Sequence, residues 1–175
     1  MAGVQHQCKQ GRKDMDEKDR QIISALQQNG RLSNQELSAQ VNLSPSPCLR
    51  RLRQLEEAGI IRGYTALVDE EAFGLPVTVF VRVRLQVHAQ ENVRAFEAAI
   101  MKMESVLDCY VMTGNTDYLL RVLVESLKHY EAFVRKQLHT APGVASIDTS
   151  FAYGHIKRAG LFPAPRTALP PPAKP

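Results

Sequence analysis

The sequence predicts an α+β protein with two domains, a small helical domain followed by one with the element order βαββαβ. Two observations support this prediction. Between residues 16 and 58, apolar side chains recur at helical spacing and are interrupted by the residue types that begin and end helices. After residue 76, strand-like alternation of apolar side chains is interleaved with two further helical segments. Runs of helices followed by mixed helices and strands favour two separate folding units.

The composition is that of an ordinary globular chain. Its 175 residues fit one large domain or two small ones, and 44% are apolar and 23% charged. The formal net charge of +4 permits nucleic-acid binding without requiring it. Because residues 16–63 hold seven Lys/Arg against six Asp/Glu, the placement of charges matters more than their total.

The cysteines and the apolar runs indicate a compartment. Cys8, Cys48 and Cys109 are odd in number and form no CxxC pair, which argues against a disulfide framework and a structural zinc site. The sequence shows neither the apolar stretch of a signal peptide nor a run that would span a bilayer. A reducing, cytoplasmic location is therefore expected.

The first helix is predicted to begin after Asp16, whose carboxylate can accept from the N–H of Asp19. Its buried stripe consists of Ile22, Ile23 and Leu26, and Asn29-Gly30 ends it.

Two more helices are predicted close behind it. Ser33 and Glu36 have the spacing of a capping box for the second helix. Ser44 caps the third, Pro45 is tolerated at its first position, and Gly59 supplies a left-handed stop. Two short helices separated by a tight turn predict a helix-turn-helix arrangement.

The third helix divides into two chemically distinct faces. Apolar Cys48, Leu49, Leu52 and Leu55 lie on one side, whereas the first turns of the other side hold only hydroxyls and arginines. An arginine can bind guanine through two hydrogen bonds, and hydroxyls suit phosphate, so this face predicts DNA binding. The alternative is a solvated basic face without a ligand. The predicted DNA-contacting residues are Ser33, Asn34, Ser44, Ser46, Pro47, Arg50, Arg51, Arg53 and Gln54.

The second domain follows the ferredoxin-like, or split βαβ, plan. Only one face of such a sheet is covered by helices. The other face carries Phe80 and mixed neighbours, and we expect a second copy of the chain to cover it. The predicted elements are a strand at 77–88, a helix at 92–103, strands at 106–113 and 117–124, a helix at 126–138 and a strand at 144–153.

The chain closely resembles the Lrp/AsnC (feast/famine) family of bacterial and archaeal transcription regulators. The resemblance covers about residues 16–156, with the family's motifs in order and at the family's spacing. The matching segments are DEKDRQI at 16–22, GRLSNQEL at 30–37, LSPSPC at 43–48, GYTA at 63–66, MTGNTDYLL at 112–120 and PGV at 142–144.

The resemblance implies a winged-helix-like helix-turn-helix domain and a ferredoxin-like sensing domain, joined by a strand near residues 64–68. It also implies homodimers that assemble into tetramers or octamers and bind double-stranded DNA under the control of a small effector, usually an amino acid. The expected organisation is a loose arm at 1–15, the DNA-binding domain at 16–63, a linker strand and hinge at 64–75, the sensing and oligomerisation domain at 76–156 and a Pro-rich tail at 157–175.

In the family, the effector pocket lies between neighbouring sensing domains around the loop between the second and third strands. Amino-acid chemistry fits this loop, because Gly114 allows close backbone approach and Asp117 can accept from an ammonium group. Asn115 stands where relatives often have aspartate, and a plain β-turn is the alternative reading. The resemblance assigns effector contacts to Thr113, Gly114, Asn115, Asp117, Thr149 and Ser150.

Other functions were weighed against this one. A small ferredoxin-like enzyme would need a nucleophile with a base, a phosphate loop or paired carboxylates, and the sequence has none at defensible spacing. A metal sensor would need clustered His, Cys and Asp side chains. We therefore expect no catalytic residues, no metal and no cofactor. A ligand-independent DNA-organising protein, or a sensing module with a vestigial DNA domain, remains an alternative.

Overall fold

The computed structural model describes residues 15–157. The predicted N-terminal arm and Pro-rich tail lie outside these residues, apart from Met15 and Lys157. The elements are α1 (Glu17–Gln28), α2 (Asn34–Gln40), α3 (Pro45–Glu57), β1 (Val77–Leu85), α4 (Gln90–Ile100), β2 (Val106–Val111), β3 (Tyr118–Val124), α5 (Leu127–Phe133), a π-helical turn (Val134–Leu138) and β4 (Val144–Phe151).

The described chain divides into a helical unit that ends at Ala66 and a sheet unit that spans Leu67–Ile156. In the helical unit, α1, α2 and α3 bury one shared apolar cluster, which confirms the predicted inward faces except at Leu49, which is half-buried and outside the cluster. Its fully or nearly fully buried members are Ile22, Leu37, Val41, Cys48 and Leu55.

The helix ends follow the predicted caps with two exceptions, at Ser44, whose side chain makes no capping bond, and at Asn29. Asp16 and Asp19 form a capping box on α1, Ser33 and Glu36 form one on α2, and Gly59 adopts a φ of 66° after α3. Asn29, by contrast, ends α1 in extended backbone, so this helix stops without a left-handed residue.

The sheet unit has the predicted βαββαβ order. Its strands are antiparallel and lie in the order β2-β3-β1-β4. Alternate β1 residues Val79, Val81 and Val83 are fully buried beneath α4 and α5, together with Phe96 and Leu138. The period-two pattern of the sequence thus corresponds to one face of the sheet against helices.

Several boundaries differ from the predictions by up to three residues, since α4 lies at Gln90–Ile100 and β2 and β4 each end two residues early. The alternation continues to His88, but β1 ends at Leu85, where its register with β4 has just shifted between Arg84 and Leu85. The predicted single helix at 126–138 is α-helical only to Phe133 and continues as the π-helical turn.

The face of the sheet opposite the helices is partly covered by the chain itself. Arg121 on β3 pairs with Glu70 at 3.7 Å, and Leu123 beside it is only 6% exposed. Phe80 is half-buried and Arg82 is exposed farther along this face. The segment before β1 therefore covers one end of the face and leaves the rest open.

The expected linker strand at residues 64–68 is not formed within the described single chain. These residues lack strand hydrogen bonds to any other described residue, and Leu67 is 87% exposed. A strand needs a partner for its backbone groups, and one chain offers none here. Among residues 15–157, no helix is both long and apolar enough to cross a membrane.

Candidate DNA-binding and effector sites

The turn between α2 and α3 is fixed by backbone and side-chain hydrogen bonds. Asn42 follows α2 with a φ of 51°, and the next N–H, that of Leu43, bonds to the Ser38 carbonyl at 2.9 Å. The Asn34 amide nitrogen donates to the Pro45 carbonyl at 3.0 Å, which ties the start of α2 to the start of α3. These bonds set the angle at which α3 leaves the turn.

Arg50 and Arg53 lie one turn apart on the exposed side of α3. The opposite side holds Cys48 and Leu55, both fully buried. Neither arginine forms an ion pair with any residue in the described part of the chain. Their guanidinium groups are therefore available to an external anion or hydrogen-bond acceptor.

Arg51, in contrast, is bound within the helical unit. Its guanidinium pairs with Asp16 at 2.6 Å and with Asp19 at 2.8 Å, and the Asp19 side chain is only 2% exposed. These carboxylates raise the pKa of Arg51, and the Asp19 N–H together with Arg51 lowers the pKa of Asp16. Although the sequence placed Arg51 among the DNA contacts, the structure makes it a link between α3 and α1.

Among the predicted hydroxyl contacts, Ser33 and Ser44 have different surroundings. The Ser33 hydroxyl donates to Glu36 at 2.8 Å and accepts from the Glu36 N–H, so it serves the α2 cap. Ser44 occupies the N-cap position of α3, but its side chain makes no capping bond. Ser44 and Ser46 are exposed at this helix end, Pro47 is half-buried, and Gln54 is exposed on the arginine side.

Lys18 is a residue of this domain that the sequence analysis missed. Its ammonium group donates to the Val41 carbonyl at 2.6 Å, at the C-terminal end of α2. A lysine there satisfies an orphan carbonyl and opposes the helix dipole. The start of α1 therefore contacts both other helices, α2 through Lys18 and α3 through the ion pairs with Arg51.

The loop between β2 and β3 holds four of the predicted effector contacts. Thr113, Gly114 and Asn115 are exposed at its tip, and Gly114 has a φ of 106°, which only glycine adopts readily. Asp117 at the loop's end is half-buried and accepts from the Leu85 N–H and from His88, each at 2.7 Å. These two bonds lower the pKa of Asp117.

The other two predicted effector contacts lie elsewhere on the sheet. Thr149 pairs in register with core-facing Val81, whereas Ser150 pairs with Phe80 on the opposite face. Thr149 bonds to the Tyr130 hydroxyl, and Ser150 accepts from Arg82 at 3.3 Å. Both are more than about 10 Å from the loop, because β1 lies between them and they are farther along β4. One chain therefore does not gather the six residues into one pocket.

Two further features bear on what the molecule binds. An open cleft of about 250 Å³ lies at the opposite end of β3 from the loop, lined by residues that include Leu75, Leu123, Glu125, His129 and Lys136. Within residues 15–157, no three His, Cys, Asp or Glu side chains are close enough to hold a metal ion.

Comparison with known families covers both units. A winged helix-turn-helix DNA-binding model matches residues 15–62, and an Lrp/AsnC ligand binding domain model matches residues 78–162. Leucine-responsive regulatory proteins of Salmonella typhimurium and Escherichia coli K12 are 39% and 38% identical over 147 residues. The match covers 84% of this chain and 90% of each relative.

Solved structures agree with this assignment. A transcriptional regulator of Neisseria meningitidis in complex with L-Met is 42% identical, with a TM-score of 0.81, 85% of this chain covered and 96% of that one. An AsnC family transcriptional regulator of Agrobacterium tumefaciens is 35% identical, with a TM-score of 0.81 and coverage of 85% and 97%. The chain belongs to the Lrp/AsnC family, and it is a DNA-binding transcriptional regulator with a C-terminal ligand-binding domain.

Proposed function

We propose that the chain reads specific DNA sequences through α3 and that an amino acid or a related metabolite modulates this binding or the assembly of the protein. The observation that carries the first part is the exposed pair Arg50 and Arg53, unpaired within residues 15–157 and set on a helix whose other side is buried. An α-helix fits the major groove, where an arginine can bind both acceptors of guanine.

The remaining residues of this surface have supporting roles in the proposal. Ser44 and Ser46 are exposed at the start of α3, where their hydroxyl groups suit phosphate oxygens. Pro47 and Gln54 border the arginines. Ser33 and Asn34 act first as the cap and the turn, and Arg51 positions α3 rather than reading bases.

The DNA proposal is tested by replacing the two arginines. A binding site is first selected from a random DNA library, and affinities for it and for a scrambled duplex are then measured by fluorescence anisotropy. Losing one bidentate contact costs about 1–3 kcal/mol of discrimination, so Arg50→Ala and Arg53→Ala should each reduce the preference by roughly five- to 150-fold. Arg94→Ala, which removes an exposed arginine on α4, is the matched control. Preference retained in both α3 variants would contradict the proposal.

The effector is proposed to bind at the β2–β3 loop between sensing domains of neighbouring chains. In support, the loop presents a glycine with positive φ and exposed polar groups, and a relative of similar fold binds L-Met. Thr149 and Ser150, remote from the loop in one chain, would reach the same ligand only from a second chain.

The effector proposal is tested by a melting-temperature screen of the full-length protein against the common amino acids and related keto acids. A ligand that binds only the folded state adds RT ln(1 + [L]/Kd) to stability, about 2.7 kcal/mol at a hundredfold excess over Kd. If none of these compounds shifts the melting temperature, a ligand-independent, DNA-organising protein becomes the better description.

Assembly, location and chemistry complete the proposal. The open part of the sheet face around Phe80 and the unpaired segment 64–68 favour a homodimer, which we expect to assemble into tetramers or octamers. Multi-angle light scattering measures this state, and a monomer at micromolar concentration would contradict it. The protein is proposed to act on DNA in the cytoplasm as a regulator and not as an enzyme.

A further inference from the structure

We propose that His88 is a positioning residue of the effector site, which holds the β2–β3 loop in its binding shape by latching Asp117 to the end of β1. This inference rests on the proposed effector function of that loop. His88 lies in the short connection between β1 and α4, outside every motif on which the family resemblance stands.

The latch consists of three groups joined by short hydrogen bonds. One oxygen of the Asp117 carboxylate accepts from the Leu85 N–H at 2.7 Å. The other oxygen lies 2.7 Å from Nε2 of His88. Both carboxylate oxygens are thus engaged inside the subunit. Asp117 is therefore an anchor of the loop before it is an acceptor for any ligand.

The backbone of Asp117 is fixed as well. Its N–H donates to the Val83 carbonyl at 3.0 Å, and its own carbonyl accepts from the Met112 N–H at 2.8 Å. The tip of the loop, residues 113–116, is therefore held at its Asp117 end by two backbone hydrogen bonds and by the bonds of the Asp117 carboxylate. Any shift of Asp117 moves the tip to which the ligand is proposed to bind.

The same connection also holds the beginning of β4. The Gln86 N–H bonds to the Gly143 carbonyl at 2.8 Å, and the Gln86 side chain donates to the Val144 carbonyl at 3.3 Å. Residues 86–88 thus join the loop on one side of β1 to the strand on the other side. His88 is the member of this connection that contacts the loop through a side chain.

The exposure of His88 indicates that its side chain positions the loop and does not pack in the core. The His88 side chain is 66% exposed, whereas Asp117 is 24% exposed. The Arg84 guanidinium also acts electrostatically on this carboxylate and helps to lower the pKa of Asp117. Removing the imidazole should thus free the clamp without opening the sheet core.

The first test is hydrogen–deuterium exchange of the ligand-free, full-length protein. In His88→Ala, amides of segment 112–118 should exchange roughly three- to tenfold faster than in the wild type. His88→Gln keeps an N–H donor and should stay within about twofold. His129→Ala is the matched control, because His129 is similarly exposed at 58% but pairs with Ser126 and Glu125. Unchanged exchange in His88→Ala would overturn the latch.

The second test is calorimetric titration with L-leucine and L-methionine. For an amino acid that binds the wild type, His88→Ala should weaken binding roughly three- to tenfold, His88→Gln should restore it, and DNA affinity without the amino acid should not change. Faster exchange with unchanged affinity would also overturn the proposal, because His88 would then shape a loop that the ligand does not use. If neither amino acid binds the wild type, L-leucine and L-methionine are excluded as effectors. The exchange experiment then still decides whether His88 holds the loop.

Discussion

Three arginines within four positions of α3 have different surroundings. Arg50 and Arg53 are exposed, whereas Arg51 reaches two carboxylates at the start of α1. A helical wheel places Arg51 at the edge between the two faces and does not reveal this difference. The outcome depends on where α1 lies, which is a tertiary contact 32 residues away for Asp19. The pattern of one helix cannot contain that information.

This difference predicts that two neighbouring substitutions change stability by unequal amounts. Arg51→Ala leaves the buried Asp19 carboxylate without its charged partner and should lower the free energy of unfolding by about 1–3 kcal/mol. Arg50→Ala removes an exposed side chain and should stay within about 0.5 kcal/mol of the wild type. Urea titrations of the two variants measure both values. Equal losses would show that the Arg51 ion pairs do not support the helical unit.

The carboxylates predict a dependence of stability on acid. Hydrogen bonds from backbone N–H groups, with help from Arg51 and His88, lower the pKa values of Asp16 and Asp117 below 3.8 in the folded chain. A group with a lowered pKa adds stability that is complete above its unfolded value and is lost as pH falls through the folded value.

Thermal unfolding measured between about pH 6 and about pH 3 should therefore show a falling melting temperature below about pH 4. Asp117→Asn should reduce this acid-dependent fall, because the amide does not titrate. Glu104→Gln, at an exposed position, serves as the control for removing a charge. If the melting temperature of Asp117→Asn falls with decreasing pH as steeply as that of the wild type, the Asp117 carboxylate does not contribute to the acid dependence.

At the scale of elements, local signals predicted most of the fold. The Asp16 cap, the capping box of Ser33 and Glu36 and the glycine stop at Gly59 lie where the sequence predicts them, because such motifs act within four residues. Strand pairing is different. Thr149 and Ser150 were assigned to one site, yet adjacent strand residues face opposite sides, and the register with β1 is set by contacts about 70 residues apart.

The turn of the helix-turn-helix contains a signal that the sequence analysis overlooked. Asn42 has a φ of 51°, and asparagine is the non-glycine residue that tolerates this conformation best. Its position between two recognised helices would have been sufficient to predict the left-handed residue. The angle between α2 and α3 depends on it.

A pair of substitutions at Asn42 tests this assignment. Asn42→Ala should lower the free energy of unfolding by about 1–2 kcal/mol, because a Cβ without a compensating hydrogen bond is strained at positive φ. Asn42→Gly should stay within about 0.5 kcal/mol of the wild type. Thermal or urea unfolding distinguishes them. An alanine variant as stable as the glycine variant would show that the turn does not require a left-handed residue.

At the scale of the whole molecule, the net charge of +4 does not by itself account for affinity for DNA. The helical domain is almost neutral over residues 16–63, so in the proposed homo-oligomer we expect DNA affinity to come from a few outward side chains repeated in each copy. A single domain of this charge would hold only a few phosphates, whereas joined copies add their contacts on one duplex. Assembly and DNA affinity should therefore depend on each other.

Salt dependence measures how many phosphates the assembly neutralises. For six to ten contacts, affinity should fall roughly 10³- to 10⁵-fold between about 50 and about 200 mM salt. Anisotropy titrations across this range, with light scattering at each salt concentration to follow the assembly, test the expectation. A flat dependence while the assembly stays intact would exclude extensive wrapping of the duplex.

The ion pairs of Arg51 with Asp16 and Asp19 also bear on which positions of α3 can be substituted. Because Arg51 forms the ion pairs with α1, the exposed side chains of Ser46, Arg50 and Arg53 take no part in that contact. If these positions read DNA as proposed, substitutions there should change the preferred DNA sequence with little change in the free energy of unfolding. Binding preference and stability would then be able to change separately in this domain.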